Sequence, residues 1–153
     1  MEVIATKIFI GIIIAVVSSF FTTKLALKKF YSEKWWEKKE SAYAEIINAL
    51  YDLIQYCEIK KEDYGQGTDH LPEKVRELSV KYSEAYWKIK KATDIGAFVI
   101  SKKAESVLIE LRNQPQLKWE ENPSFEIFEA DYNFYKEALE KIIIVSKKDL
   151  QID

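Results

Sequence analysis

Residues 8–23 read IFIGIIIAVVSSFFTT, a stretch without a charged side chain. Counted from Val3, the apolar run covers about 21 residues, interrupted by Lys7, and is long enough for a helix to cross a hydrocarbon layer of about 30 Å. The run predicts an N-terminal transmembrane helix over residues 1–23. Two alternatives stay open. The first is a cleaved signal peptide, which is disfavoured because no A-x-A cleavage pattern precedes the lysines. The second is a buried core helix, which is disfavoured because the run is apolar almost all round.

The lysines after this run determine the predicted orientation. Between Lys24 and Lys39 the sequence has six lysines and two glutamates, whereas one lysine and one glutamate precede the run. The positive-inside rule therefore places the amino end outside and residues 24–153 in the cytoplasm. The single cysteine, Cys57, allows no intrachain disulfide and agrees with a reducing compartment.

A basic and aromatic collar is predicted where the chain leaves the membrane. Its lysines would be attracted to anionic head groups by about 1 kcal/mol each. Its rings suit the aromatic belt of a membrane interface or a contact between subunits. The collar consists of Lys24, Lys28, Lys29, Phe30, Tyr31, Trp35 and Trp36. Membrane lipids are therefore predicted partners.

The first helix is expected to continue far beyond the membrane. No proline or glycine occurs between Gly11 and Gly65, and apolar residues from Tyr43 to Cys57 recur every three or four positions. About 40 residues of cytosolic helix would reach about 60 Å. The predicted fold class is all-α, with an N-terminal transmembrane helix that continues into a long cytosolic helix packed with about three further helices.

Those three helices follow the break at Gly65–Asp69. Pro72 suits a first helical position, with Asp69 or His70 near the cap, and Ser101 suits the cap of the next helix. The expected helices begin at Pro72, extend over Lys102–Arg112, and run from Pro123 to about Leu150, with a loop over Asn113–Asn122. Their apolar stripes are Val75, Leu78, Tyr82, Ala85, Ile89 and Ala92, and then Phe128, Tyr132, Tyr135, Leu139 and Ile142/Ile143.

Few residues of the chain suit catalysis. The single histidine, His70, is typical of a loop or capping residue, and Cys57 on an apolar stripe is typical of a small core residue. One His and one Cys do not assemble a zinc site of the usual kind within one chain, and Gly65-x-Gly67 lacks the spacing of a phosphate-binding loop. We predict no enzymatic activity, no metal and no cofactor. A membrane-bound hydrolase that uses His70 is the minor alternative.

Small and polar residues share one side of the predicted transmembrane helix. At about 100° per residue they fall within an arc of about 120°. The arc consists of Lys7, Gly11, Ala15, Ser18, Ser19 and Thr22. Its small residues, spaced four apart, allow helices to pack closely in lipid, and a charge inside a span is expensive unless it snorkels or faces a wet interior. The arc predicts self-association around an interface or a pore. The alternative is that Lys7 snorkels outward and the small residues have no special role.

The second cytosolic helix carries a tryptophan on the side away from its apolar stripe. An outward Trp87 with cationic neighbours suits a hot spot for a protein partner or a stacking platform for single-stranded nucleic acid. The predicted ligand or partner surface consists of Arg76, Trp87, Lys88, Lys91, Lys102 and Lys103. The alternative is that another helix covers this side. Interleaved glutamates and a net charge of -2 weaken the nucleic-acid interpretation.

Three stretches of the chain together resemble a known group of proteins. They are Glu33–Lys39 running into Ala42-Tyr43 and Ile46-Ile47-x-Ala49-Leu50, Ala92–Ser101, and Tyr135–Leu139 with Lys147–Leu150. The chain resembles small bacterial single-pass membrane proteins with a helical cytosolic domain, of the kind found as membrane effectors in anti-phage defence such as the Hailong system. In that system a nucleotidyltransferase makes single-stranded DNA that holds a channel-forming partner inactive. The resemblance implies a bacterial inner-membrane location, a nucleotidyltransferase partner and a single-stranded DNA ligand.

Two hypotheses about function follow. The first is an oligomeric membrane effector, a gated ion channel in bacterial antiviral defence controlled by a cytosolic nucleotide, single-stranded DNA or partner. It draws on the arc and on the resemblance. The second is a membrane-tethered helical adaptor that recruits a cytosolic partner without forming a pore. It needs only a single span, the collar and the outward Trp87.

Overall fold

The described part of the chain is all-α, as predicted. The computed structural model describes residues 2–67 and 71–152, with the side chains of residues 2–17, Gln66 and Ala97 outside that description. Within these ranges there are four α-helices and one short 3-10 helix, and no strand. The elements are α1 (Glu2–Gln66), α2 (Pro72–Ile95), the 3-10 helix Gly96–Phe98, α3 (Lys102–Arg112) and α4 (Ser124–Leu150).

The chain divides into two compact units, Met1–Lys38 and Lys39–Asp153. The expected unbroken first helix is observed as α1, whose residues belong to both units. Among the described residues, no helix combines the length and the apolar character needed to cross a membrane. The predicted span over residues 1–23 falls mostly on residues 2–17, whose side chains lie outside the description, and it stays a prediction.

The core of the Lys39–Asp153 unit forms along the C-terminal half of α1. Tyr43, Leu50, Leu53 and Cys57 are each at most 1% exposed, which confirms the predicted stripe of this helix. Burying a large apolar side chain contributes about 1.5–3 kcal/mol. The other helices pack on this stripe with Ala85 and Ile89 from α2, Ala104 and Leu108 from α3, and Ala138, Ile142 and Leu150 from α4.

The predicted starts of α2 and α3 are confirmed where they are described. α2 begins at Pro72, and the capping candidates Asp69 and His70 lie outside the described residues. α3 begins directly after Ser101, whose hydroxyl accepts a hydrogen bond from the Ala104 N–H at 3.4 Å. This bond satisfies one of the free N–H groups at the start of α3.

The predicted stripe of α4 is confirmed at Phe128 and Ile142, but the rest of the buried side differs from it. In its C-terminal half the buried residues are Ala138, Ile142, Ser146 and Leu150, at steps of four, whereas the predicted Tyr132, Tyr135 and Leu139 are only half-buried. A stripe predicted from the large apolar residues omits small residues, such as Ala138 and Ser146, that are also buried. Ser146 tolerates burial because its hydroxyl donates to the Ile143 carbonyl at 3.0 Å.

A polar cluster joins α1, the start of α3 and the end of α4. The Tyr43 hydroxyl donates to Asp149 Oδ2 at 2.7 Å and accepts from the Ser101 backbone N–H at 3.2 Å. Lys39 Nζ lies 3.2 Å from the same Asp149 oxygen. Burial raises the pKa of Tyr43, against the lowering effect of its hydrogen bonds to Ser101. We call Lys39, Tyr43, Ser101 and Asp149 the polar cluster.

Candidate functional site

The predicted arc on α1 lies only partly within the description. Its members Lys7, Gly11 and Ala15 are helical, with side chains outside the described part, while Ser18, Ser19 and Thr22 are exposed. The Thr22 hydroxyl donates to the Ser18 carbonyl at 2.8 Å. This donor is therefore satisfied within the helix, as is common for threonine in apolar surroundings.

The collar residues are all exposed. Every described side chain from Ser18 to Lys38 is accessible, including Phe30 at 53%, Trp35 at 45% and Trp36 at 43%. Phe20, Phe21, Leu25 and Leu27 are exposed on the same stretch. Exposed apolar patches of this kind mark surfaces that contact a membrane or a protein.

The predicted ligand or partner surface is exposed but divided. Trp87 is 59% exposed, and Lys90 Nζ lies 4.8 Å from the centre of its ring, so a cation of the chain already covers part of the indole. Lys88 and Lys91 line a groove beside the exposed Ile95.

The remaining cations of that surface lie elsewhere. Arg76 lines a different groove, with Tyr64 and Val80, and Lys102 and Lys103 are exposed at the start of α3, outside both grooves. The structure therefore gathers two of the five predicted cations into one groove and separates the other three.

Cys57 and His70, the two residues considered for nucleophilic chemistry, do not form a site within the described part of the chain. Cys57 is fully buried, and burial, together with the charge of Asp131, raises the pKa of its thiol. A protonated, inaccessible thiol is inert, which agrees with its predicted role as a core residue. His70 lies outside the described residues. No group of three His, Cys, Asp or Glu residues in the described part could hold a metal ion.

A cavity walled by aromatic rings, which was not predicted from the sequence, lies among α1, α2, α4 and the loop before α4. It has a volume of about 470 Å³. Its rings belong to Tyr56 and Tyr64 of α1, Tyr82 and Tyr86 of α2, Trp119 of the loop before α4, and Phe128 and Tyr135 of α4. We call it the aromatic cavity. Four segments of the chain supply its wall, which also contains Lys60 of α1, Gln116 and Leu117 of the loop, and Ile127 and Asp131 of α4.

Close ring contacts hold this wall together. The Phe128 ring stacks on Tyr64 with an interplanar angle of 7° and a centroid distance of 5.8 Å, and Trp119 meets Phe128 edge-on at 5.5 Å. Aromatic pairs in these geometries stabilise one another by about 0.5–1.5 kcal/mol. The wall is therefore largely formed before any ligand arrives.

A glycine allows the end of α1 to approach α4. A Cβ built on Gly65 would lie 2.6 Å from a carbon of the Phe125 ring, so a larger residue could not fit without displacement. Gly65 was predicted from the sequence to be the start of a break. Instead it lies inside α1, which ends at Gln66, and Gly67 takes the left-handed conformation with φ of 64°. The close packing at Gly65 brings Tyr64 to the wall of the aromatic cavity.

One carboxyl group, Asp131, lies in the wall of this cavity. The side chain is half-buried, and desolvation raises the pKa of the carboxyl group. A second cavity of about 130 Å³ shares Asp131, Tyr86 and Tyr135 with the first. Across the described residues Asp131 makes no hydrogen bond or ion pair, and no fully buried side-chain oxygen or nitrogen lacks a partner. Because the Asp131 oxygens have no partner and yet are not among the fully buried atoms, they are accessible to solvent, and Asp131 lines both cavities.

The two innermost tyrosines are paired with each other. The Tyr82 and Tyr135 hydroxyl groups lie 3.3 Å apart. Burial raises the pKa of Tyr82 to about 12 and also raises the pKa of Tyr135. Both phenols are neutral at physiological pH and present polarised rings to the cavity.

Comparison with protein families, with curated proteins and with solved structures finds no match for this chain.

Proposed function

We propose that this chain is an oligomeric membrane effector, a gated ion channel of bacterial antiviral defence. The observation that carries the proposal is the position of the uncharged run Ile8–Thr23. It lies on α1, the same helix that gives Tyr43 and Leu53 to the core of the Lys39–Asp153 unit. The run has the length that a helix needs to cross a hydrocarbon layer of about 30 Å.

The exposed stretch from Ser18 to Lys38 supports a location at the bacterial inner membrane. Its lysines and aromatic rings are the residue types that a cytoplasmic membrane surface favours. The Lys39–Asp153 unit would then lie in the cytoplasm. In that location the apolar side chains of the stretch, such as Phe20 and Phe21, would be covered by lipid or by a second copy of the helix.

The arc supports assembly of several copies. Gly11, Ala15 and Ser19 recur every four residues, which lets helices approach closely in lipid. Ser18 and Thr22 would line the contact or a wet path, and the hydrogen bond to the Ser18 carbonyl would satisfy the Thr22 hydroxyl there.

Control of the channel would come from the cytosolic unit. The exposed Trp87 with Lys88 and Lys91 on the same helix offers an aromatic ring and positive charge to a nucleotide or to single-stranded DNA. A nucleotidyltransferase is the partner that the resemblance implies as the source of such a ligand.

The second candidate function is a membrane-tethered adaptor without a pore. It is favoured by one observation, the groove in which the exposed Ile95 and Phe98 accompany Lys88 and Lys91. An apolar groove with a charged rim is typical of a surface that binds a protein partner.

Substitutions on α1 test the channel. In the full chain reconstituted in liposomes, Ser18→Leu and Thr22→Leu should abolish ion flux without lowering membrane insertion, because bulk on the arc blocks a wet path or separates packed helices. Val17→Leu, outside the arc, is the matched control and should leave the flux unchanged. Ion flux through the liposomes and the inserted fraction are the two measurements.

Several outcomes would exclude the channel. Equal effects of Val17→Leu and Ser18→Leu would mean that the arc has no special role. A chain that stays strictly monomeric in detergent would exclude a pore, because the proposed pore needs several copies. Replacing residues 1–23 by an unrelated single-span helix separates the two candidates. A channel should lose conductance, whereas an adaptor should still recruit its partner with any membrane tether.

A further inference from the structure

The aromatic cavity combines aromatic rings with a carboxylate that forms no ion pair among the described residues, and the one cation in its described wall, Lys60, lies over the rings of Tyr56 and Tyr64. Rings from three helices and a loop surround it, and Asp131 is the acidic residue in its wall. Across the described residues, no lysine or arginine forms an ion pair with Asp131. A carboxylate held among aromatic rings costs free energy unless a positive group compensates it.

The rings of this region already attract the ammonium groups of the chain itself. Lys60 Nζ lies 5.9 Å from the centre of the Tyr56 ring and 5.8 Å from that of Tyr64. Nearby, Lys61 Nζ lies 4.5 Å from the centre of Tyr132. These contacts are cation–π interactions, which strengthen when the pair is removed from water.

We propose that the aromatic cavity binds a small organic cation with a quaternary ammonium centre. The exposed rings of Tyr64 and Trp119 would contact the alkyl groups, the buried Phe128 ring would support Tyr64 from behind, and Asp131 would supply the opposite charge. A quaternary nitrogen needs no hydrogen-bond acceptor. That property fits a wall in which the Tyr82 and Tyr135 hydroxyl groups are already paired with each other at 3.3 Å.

The cavity is accessible to such a ligand. Tyr64 is 56% exposed and Trp119 is 58% exposed, so they form its mouth, while the half-buried Tyr82 and Tyr135 form its floor. A volume of about 470 Å³ admits a head group the size of choline with room for a substituent. The desolvated Asp131 lies in the wall between this cavity and the smaller one beside it.

Other ligand classes fit this wall less well. A metal ion needs several oxygen, nitrogen or sulfur ligands, and the described residues offer no cluster of three. A phosphate or carboxylate ligand without a cationic group would be repelled by Asp131. A neutral apolar ligand would fit the rings but would leave the Asp131 charge uncompensated.

Calorimetric titration of the full chain in a non-ionic detergent tests the proposal, because no detergent head group then carries a quaternary nitrogen. Choline and tetramethylammonium are the probes. They should bind with a dissociation constant of about 1 mM or tighter, since several ring contacts act together with the carboxylate. Dimethylbutanol, the neutral carbon isostere of choline, should bind at least tenfold more weakly.

Matched substitutions locate the binding site. Asp131→Asn removes the charge at nearly constant shape and should weaken choline binding at least tenfold. Trp119→Leu should weaken it similarly, whereas Trp87→Leu should have no effect. The two tryptophans are almost equally exposed, at 58% and 59%, and only Trp119 lines the cavity. Lys60→Gln should strengthen binding, because it removes a competing cation from the rings.

The outcomes decide between a cation site and an apolar pocket. Equal binding of choline and dimethylbutanol, no binding of either quaternary probe, or equal effects of Trp119→Leu and Trp87→Leu would overturn the proposal. Glycerophosphocholine distinguishes the source of the cation. It should bind as well as choline if the site serves a lipid head group, and much more weakly if it serves a free cation. The result is independent of ion conduction, because every residue involved lies in the Lys39–Asp153 unit.

Discussion

Replacing Tyr43 by phenylalanine should destabilise the Lys39–Asp153 unit by about 2 kcal/mol. The substitution removes a hydrogen bond to the Asp149 carboxylate at 2.7 Å, of a kind that contributes about 1.5–3 kcal/mol, and leaves the Ser101 N–H without its 3.2 Å partner. The aromatic ring, 1% exposed, keeps its packing. We take a value in the lower part of that range because Asp149 retains Lys39 at 3.2 Å and its side chain is 21% accessible.

Urea unfolding of the full chain in detergent, followed by circular dichroism, measures this effect. The midpoint should fall with an unchanged slope, and the thermal midpoint should fall by about 6 °C. Tyr51→Phe is the matched control. Tyr51 is 53% exposed and its hydroxyl accepts a hydrogen bond from Gln55 at 2.9 Å, so its loss should change the free energy of unfolding by less than about 0.5 kcal/mol.

A double-mutant cycle identifies the source of the effect. Tyr43→Phe and Asp149→Asn should be non-additive by about 1 kcal/mol or more, because both remove the same hydrogen bond. If Tyr43→Phe costs no more than Tyr51→Phe, or if the two effects add, the polar cluster does not hold α1 to α4 and the reasoning is refuted.

Two further predictions concern buried groups of the same unit. Cys57 should react with a thiol reagent only as fast as the chain unfolds, because the side chain is 0% exposed and burial raises the pKa of its thiol; rapid labelling under native conditions would contradict this. Because burial raises the folded-state pKa of Tyr82 from 10.0 to about 12, its contribution to stability is complete below pH 10.0 and is lost as the pH rises toward about 12. Urea unfolding across that interval should show a falling free energy, and Tyr82→Phe should reduce the fall.

Helix positions were predictable because local rules act on adjacent residues. The Ser101 cap and the first-turn proline Pro72 fix the starts of α3 and α2 through backbone groups within one turn. The stripe from Tyr43 to Cys57 follows from the helical period alone. The buried side of α4 was predicted less well, because small residues such as Ala138 and Ser146 carry little hydrophobic signal although they allow close packing.

The candidate site was harder to predict because its parts come from distant segments. Trp87 is exposed, which agrees with one of the two interpretations that the sequence left open, but the ammonium group of Lys90 over its ring depends on side-chain conformation. In the aromatic cavity Tyr64 and Trp119 are far apart in the sequence, and each alone looks like a core residue or a loop residue. Gly65 was the sequence feature that could have indicated close packing near this site. It was interpreted as a helix break rather than as the place where Phe125 packs against α1.

Asp131 differs from the fully buried polar groups of this unit. The buried Thr93 hydroxyl donates to the Ile89 carbonyl at 2.8 Å, and the Tyr43 hydroxyl is held by Asp149 and Ser101. Asp131 has no such partner within the described residues, and desolvation disfavours its ionised form. An accessible carboxyl group without a partner, facing a cavity walled by aromatic rings, is available to a ligand of opposite charge. The carboxyl group without a partner and the aromatic cavity therefore lie at the same place in the molecule.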